Sequence, residues 1–166
     1  MTDIHVTSDG TLRFNNHVMR CALGKAGVTE QKQEGDHKTP LGSFALRELW
    51  VRPDRITLNK TMMPPRILRE HDGWCDDMHH SHYNRHVILP FDAQHEQLWR
   101  KDHRYNIIIP LGYNDTVPVA GKGSAIFFHI ASNDYEGTEG CVAISQENMM
   151  QLLPYIGAHT TMHITR

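Results

Sequence analysis

Residues 121–143 read GKGSAIFFHIASNDYEGTEGCVA, and the reading of the whole chain turns on this stretch. Ala125-Ile126-Phe127-Phe128-His129-Ile130 is the most apolar run of the sequence and predicts a buried strand. That strand carries His129 near its end. A polar loop follows, then Thr138-Glu139-Gly140-Cys141, 12 residues after the histidine. A loop of this length can fold back and bring imidazole to thiol. The thiolate is the nucleophilic form of cysteine, and a neighbouring histidine accepts its proton. Gly140 leaves room for a carbonyl to approach the backbone, where the N–H groups around Gly140 and Cys141 would hold an oxyanion. By spacing alone a second reading stands: Cys141 as a small buried hydrophobe and His129 as a strand-end residue.

Outward from this stretch, strands dominate. Ile4 to Thr7, Thr11 to Phe14 and His17 to Leu23 alternate, separated by Ser8-Asp9-Gly10 and Asn15-Asn16 turns. Residues 24–42 are polar and Gly-rich, and predict a loop for much of their length. Residues 43–51 predict one strand, and residues 52–85 a long irregular segment of the kind that usually serves function. His86 to Leu89, Tyr105 to Ile109 and Met162 to Thr165 predict further strands, and Ala93 to Lys101 a short helix with Leu98 and Trp99 inward. The clearest helix follows Ser145, which caps its first turn, with Ile144 and Met149 placed as a hydrophobic staple and Pro154 as its limit. The sum is a mainly β single domain over 1–166, a β-sandwich or barrel with one or two short helices.

Composition narrows the function. The 166 residues are 39% hydrophobic and 22% charged, as in ordinary globular chains. With Lys+Arg 17 against Asp+Glu 19, the net charge of −2 gives no bulk basic surface for nucleic acid. No apolar run reaches the roughly 18 residues of a membrane span. Met1-Thr2-Asp3-Ile4-His5 lacks the charged and then apolar pattern of an export signal, so the expected location is cytoplasmic. Three cysteines, Cys21, Cys75 and Cys141, are an odd count and predict free thiols. Cys75 beside Asp76-Asp77 is a poor thiolate site, because nearby negative charge disfavours the anion.

At His129 and Thr138-Glu139-Gly140-Cys141 the chain resembles the L,D-transpeptidase catalytic-domain (YkuD-like) family. That family ends a core strand with His and follows it with Ser/Thr-x-Gly-Cys. A second element, Thr-Pro-x-Gly-x-Phe, is present as Thr39-Pro40-Leu41-Gly42-Ser43-Phe44, after a family-like Gly24-Lys25 turn. The resemblance runs from Ile4 to Thr165. It implies the β-rich fold of that family, Cys141 as nucleophile, His129 as base, and the carbonyl of Ile130 as the group that orients the imidazole. It also implies acyl transfer on peptidoglycan stem peptides, with no cofactor. The acyl-enzyme passes to an amine as a transpeptidase, giving 3→3 cross-links or exchanged D-amino acids, or to water as an L,D-carboxypeptidase.

Two departures bear on that choice. Glu139 stands where many members have His, and Ala143 where many have Arg or Asn. A chain without an export signal meets soluble tetrapeptides or muropeptides rather than polymeric wall. The expectation is therefore an L,D-carboxypeptidase of murein recycling that removes terminal D-alanine.

The substrate carries carboxylates, so Arg85 and Lys122 are candidate anchors, and Trp74 and Tyr113 candidate pocket walls. For each, a surface charge or core packing is the plainer reading. His79, His80, His82 and His86 cluster among 13 histidines but match no metal-ligand spacing, so no metal is assigned. Two other classes stay open: an inactive muropeptide-binding domain and a His-rich metal-binding protein. Oligomeric state is not legible.

Overall fold

Alternation builds the first sheet. In the computed structural model, which describes residues 3–166, β1 (Ile4–Thr7), β2 (Thr11–Phe14) and β3 (His17–Arg20) form an antiparallel meander. Ile4, Val6, Leu12, Phe14 and Met19 are buried, while His5, Arg13 and Arg20 face out. Asn15 takes φ +51° in the second turn, the left-handed conformation that asparagine tolerates best after glycine. Met1 and Thr2 of the N-terminal reading lie outside the described residues.

The 24–42 segment is mostly loop, tied by the short parallel pair β4 (Val28–Thr29) and β5 (Thr39–Pro40). Residues 43–51 do not form one strand. They divide into β6 (Gly42–Ala45) and β7 (Leu49–Val51), which belong to different sheets, because the chain turns a corner at Leu46. The 52–85 segment is less irregular than expected and holds β8 (Pro65–Ile67) and β9 (Asp72–Cys75). Next come β10 (Arg85–Ile88), β11 (His95–Gln97), β12 (Ile107–Pro110), β13 (Phe127–Ile130) and β14 (Val142–Ile144). The helix α1 (Gln146–Leu152) and β15 (Thr161–Thr165) close the chain.

Two five-stranded sheets result, ordered β3-β2-β1-β15-β6 and β14-β13-β12-β7-β8. One apolar core draws on both: Ile4, Leu12 and Met162 from the first, Leu49, Ile107, Phe128 and Val142 from the second. The arrangement is a sandwich. Ala22 bridges Ala143 and Leu46 bridges Leu111, but neither bridge continues into a ladder, and no closed barrel forms among the described residues.

Strands β14, β13, β12 and β7 of the second sheet are buried on both faces, which explains their nearly continuous apolar residues, while the edge strand β8 is exposed. Leu49 and Val51, Ile107 and Ile109, Phe128 and Ile130 face the sandwich core. Trp50, Ile108, Phe127 and Cys141 face the other way, into a second cluster with Leu68, Leu98 and Tyr105. Strands β10-β9-β11 form a third sheet that supplies neighbours of that outer face, where the Trp74 ring meets the Phe127 ring edge-on at 5.1 Å.

The helix expected over 93–101 is a strand instead. β11 pairs antiparallel with β9, Glu96 opposite Trp74, and Leu98 just beyond its end is buried. Among the described residues the fold therefore has one helix. In α1 the Ser145 hydroxyl accepts from the Asn148 N–H at 3.2 Å, and Glu147 lies in the first turn. Met149 and Leu152 are buried, each worth roughly 1.5–3 kcal/mol relative to exposure. No helix among the described residues is long and apolar enough to cross a membrane.

Candidate active site

The parallel pairing of β13 with β14 sets the site. His129 lies opposite Ala143 and Phe128 opposite Val142, so Cys141 enters β14 level with Phe127. Side chains two apart share a face. His129 and Cys141 therefore emerge on the same outer face of adjacent strands, and both line one cavity of about 360 Å³.

The histidine is held by the backbone. Its Nδ1 lies 2.8 Å from the Ile130 carbonyl oxygen, an acceptor only, so Nδ1 carries the hydrogen and Nε2 keeps its lone pair. The Tyr105 ring meets the imidazole edge-on at 5.1 Å. Burial pushes His129 down to about 4, against the Ile130 hydrogen bond, which raises it. At neutral pH the ring is a neutral base.

The cysteine is held as a thiol. Its Sγ–H donates to the Ala125 carbonyl at 3.2 Å, and its sulfur accepts from the Phe127 N–H at 3.3 Å. Burial first, then the Glu96 charge, push Cys141 up to about 12, while the Phe127 N–H and Lys32 favour the thiolate. The resting pair is thus thiol and imidazole, with no ion pair between them. The other two cysteines are buried and free; burial raises both, Cys21 to about 12.

The Gly140 turn fixes the cysteine backbone. Gly140 has φ +140°, and a Cβ there would stand 2.9 Å from the Lys38 carbonyl oxygen, so no other residue fits without movement. The Thr138 hydroxyl donates to the Cys141 carbonyl at 2.7 Å and accepts from the Gly140 N–H at 3.1 Å. The Gly140 N–H is therefore engaged, and the Cys141 N–H is the donor of the pair not bound by Thr138. Glu139 lies against Lys25 Nζ at 2.7 Å and against the His37 ring; the Lys25 ammonium holds its carboxyl below the usual range.

The second sequence motif meets the first here. Thr39 Oγ1 reaches the Cys141 carbonyl at 3.4 Å and accepts from the Gly24 N–H at 2.8 Å. Thr138 in turn pairs its N–H with the Leu23 carbonyl and its carbonyl with the Lys25 N–H.

The four residues expected to bind substrate do not line this cavity. Arg85 donates to the carbonyls of Asp115 and Thr116, and with Trp74 it borders a separate cavity of about 120 Å³. Trp74 Nε1 donates to Asn84 at 2.9 Å. Tyr113 packs edge-on against Phe44 and donates to the Lys122 carbonyl, and the Lys122 side chain is exposed. The cations that do line the cavity are Lys32, Arg100 and Arg104. Arg100 is chelated by Asp102 and Arg104 pairs with Glu136. Acids outnumber them, with Glu34, Asp76, Glu96, Glu136 and Glu139 on the walls.

Sequence reasoning missed Lys32, Glu96 and Tyr105. Each is brought in by a strand or loop remote from Cys141, and none carries a motif. Of the histidine cluster, His86 bonds the Asp72 carboxylate at 2.7 Å, while the His80 and His82 rings pack on Phe91. Among the described residues no three His, Cys, Asp or Glu side chains group as metal ligands.

Comparison with known proteins gives the family. Residues 4–164 match the family model of the L,D-transpeptidase catalytic domain, YkuD. No curated protein matches. Among solved structures, Bd1075 of Bdellovibrio bacteriovorus is 17% identical at TM-score 0.50, covering 98% of this chain and 46% of that one. L,D-transpeptidase 1 of Mycobacterium tuberculosis is 13% identical at TM-score 0.43, covering 99% of this chain and 61% of that one. An L,D-transpeptidase of Mycobacterium smegmatis is 13% identical at TM-score 0.48, covering 98% and 58%. The chain spans about half to three fifths of the length of these structures.

Proposed function

Because the chain belongs to the L,D-transpeptidase catalytic-domain family, we propose that it is a cysteine acyltransferase acting on the L,D bond of peptidoglycan stem peptides. The observation that carries this reading is the placement of His129 and Cys141 on one face of paired strands, at one cavity, with Nδ1 tied to Ile130.

The steps follow from that geometry. Cys141 Sγ attacks the carbonyl carbon that precedes the terminal D-alanine, and its proton passes to His129 Nε2. The Cys141 N–H faces the oxyanion that forms. The adduct collapses as the C–N bond breaks, and His129 returns the proton to the departing amine. A thioester remains. An acceptor amine attacks it and gives a proton to His129, which passes it to the departing sulfur as the C–S bond breaks and the new amide forms.

Two features favour an amine acceptor over the hydrolytic outcome expected from the sequence. The cavity walls carry more acids than bases, which concentrates a cationic amine near the thioester. The charge of Glu139 is offset by Lys25, so its carboxylate does not stand against an acceptor that carries one of its own. We assign the substrate carboxylates to Arg100 and Arg104, in place of Arg85 and Lys122.

A second reading, the L,D-carboxypeptidase of murein recycling in a cytoplasmic setting, draws on Ala143. That residue is fully buried against Ala22 and Ala131, so no polar side chain at this position holds an acceptor. A loosely held amine competes poorly with water.

Incubation with a tetrapeptide muropeptide, with and without a D-amino acid, followed by mass spectrometry separates the readings. An acyl adduct on Cys141 with dimer or exchanged tetrapeptide is the result expected. Tripeptide as the dominant product would move the assignment to the carboxypeptidase. No adduct and no product would remove the enzyme reading.

A further inference from the structure

Lys32 is an unusual lysine. It lies in a polar, Gly-rich loop, yet its side chain is 3% exposed. Lysine is almost never fully buried unless paired. Here Nζ donates to Asp36 Oδ1 at 2.6 Å and to the Gln33 carbonyl at 2.7 Å, two of its three N–H bonds. Asp36 is itself fixed by the N–H groups of Gln33 and Lys38, both at 2.9 Å. A buried ion pair is weak as a source of stability, since apolar residues of the same volume often do as well. Something other than stability has to account for the charge.

Its position supplies the reason. The stem runs between two glycines that flank the site. A Cβ on Gly123 would stand 3.0 Å from Lys32 Cγ, and a Cβ on Gly140 would stand 3.5 Å from Lys32 Cε. Gly140 immediately precedes Cys141, so the end of the Lys32 stem lies at the nucleophile's own turn. Lys32 also lines the cavity that His129 and Cys141 share. The other two cations there, Arg100 and Arg104, are paired to Asp102 and Glu136. Glu96 and Glu139 act against negative charge on Cys141, and Lys32 acts for it.

The geometry points to Lys32 as an electrostatic positioning residue: its ammonium, held by Asp36 beside Gly140, stabilises the negative charge that Cys141 and the attacked carbonyl acquire during acylation. This rests on the reading of Cys141 as the nucleophile.

The test is alkylation of Cys141 in the full chain, followed by peptide mass spectrometry so that Cys21 and Cys75 do not contribute. Iodoacetamide is neutral and iodoacetate anionic; both react with the thiolate. Lys32→Met should lower the iodoacetamide rate about tenfold, the equivalent of one pKa unit. It should also lower the iodoacetate-to-iodoacetamide ratio, which a change of access alone would not. Lys32→Arg should keep both within about threefold, and Lys60→Met, an exposed lysine elsewhere, should match wild type. If Lys32→Met does not fold, Asp36→Asn keeps the charge and removes its counter-charge, so the ratio should rise. A ratio unchanged in both Lys32→Met and Asp36→Asn overturns the proposal while leaving the nucleophile reading intact. A wild-type Cys141 that takes neither reagent, and no acyl group from tetrapeptide, overturns the nucleophile reading and this proposal with it.

Discussion

Thr39 and Cys141 are 102 residues apart in sequence, and the Thr39 hydroxyl lies 3.4 Å from the Cys141 carbonyl oxygen. The same hydroxyl oxygen accepts the Gly24 N–H at 2.8 Å, so one fully buried threonine joins the 24–42 loop to the cysteine turn. Thr39→Val keeps the shape and removes both bonds, which leaves the Gly24 N–H buried without a partner. An unsatisfied buried donor costs about 1–3 kcal/mol. Urea unfolding should show a loss of that size, and Thr39→Ser should recover most of it. A Thr39→Val midpoint equal to wild type would mean the loop is held by other contacts.

The Cys141 and His129 variants separate nucleophile from base. Cys141→Ala should form no acyl adduct with a tetrapeptide, while its unfolding midpoint stays close to wild type, because the side chain loses only a sulfur. His129→Gln should lower acylation by at least about 100-fold, the low end for general acid–base groups. Because the resting thiol is protonated and bonded to Ala125, His129→Gln should change alkylation of Cys141 at pH 8 far less than it changes acylation. Equal losses in the two assays would mean that His129 sets the resting thiolate, contrary to the neutral pair described above.

Gly140→Ala tests the turn itself. The new Cβ would meet the Lys38 carbonyl at 2.9 Å in a backbone conformation that alanine avoids. The turn must shift, and with it the cysteine. Stability should fall by about 1–3 kcal/mol, and acylation should fall further than stability accounts for, since misplacement of about 1 Å can cost 10²-fold. A variant with reduced stability and full acylation would show that the turn has slack the site does not feel.

How far these features were legible in the sequence follows from where their causes lie. α1 was read correctly because its signals are local: Ser145 caps, Ile144 and Met149 staple, Pro154 limits. β13 is legible in its apolar run; the spacing of His129 and Cys141 alone leaves a buried, inert cysteine open, and it is the resemblance to the family motif that points to the pair. β8 was missed because all three of its residues are exposed, and β9 because Asp72-Gly73 opens it with residues that strands avoid. β11 spans three residues, too few to show a period, and pairing with β9 rather than local sequence decides its state. Arg85 was favoured as an anchor from its residue type, but its direction, toward the Asp115 and Thr116 carbonyls, is set by β10. Lys32 had no signal at all, since burial of a loop lysine is a property of what packs over it.

Two cavity groups, His129 and Glu96, oppose each other in the pH dependence of stability. Burial lowers His129 to about 4 from an ordinary 6.5. Between those values the unfolded chain binds a proton that the native imidazole refuses, so stability falls as pH falls through that window. Burial raises Glu96 to about 7 from 4.5, against the Tyr105 hydrogen bond, which lowers it. Between those values the native carboxyl keeps a proton that the unfolded chain has lost, so stability falls as pH rises. From pH 4.5 to 6.5 the two contributions have similar size and opposite sign, and wild type should be nearly flat across this window in these two groups. Glu96→Gln keeps a hydrogen-bonding partner for Tyr105 and removes one titration. Relative to wild type, its stability should rise by about 2–3 kcal/mol more between pH 4.5 and 6.5, at 1.36 kcal/mol per pH unit for one proton. His129→Gln should show the reverse, a fall of similar size relative to wild type. Urea midpoints at pH 4.5, 5.5 and 6.5 for the three proteins provide the comparison, and all other titrating groups cancel in the differences. If Glu96→Gln parallels wild type at all three values, the Glu96 carboxyl is ionised in the native cavity, and its charge already stands against the Cys141 thiolate throughout this range.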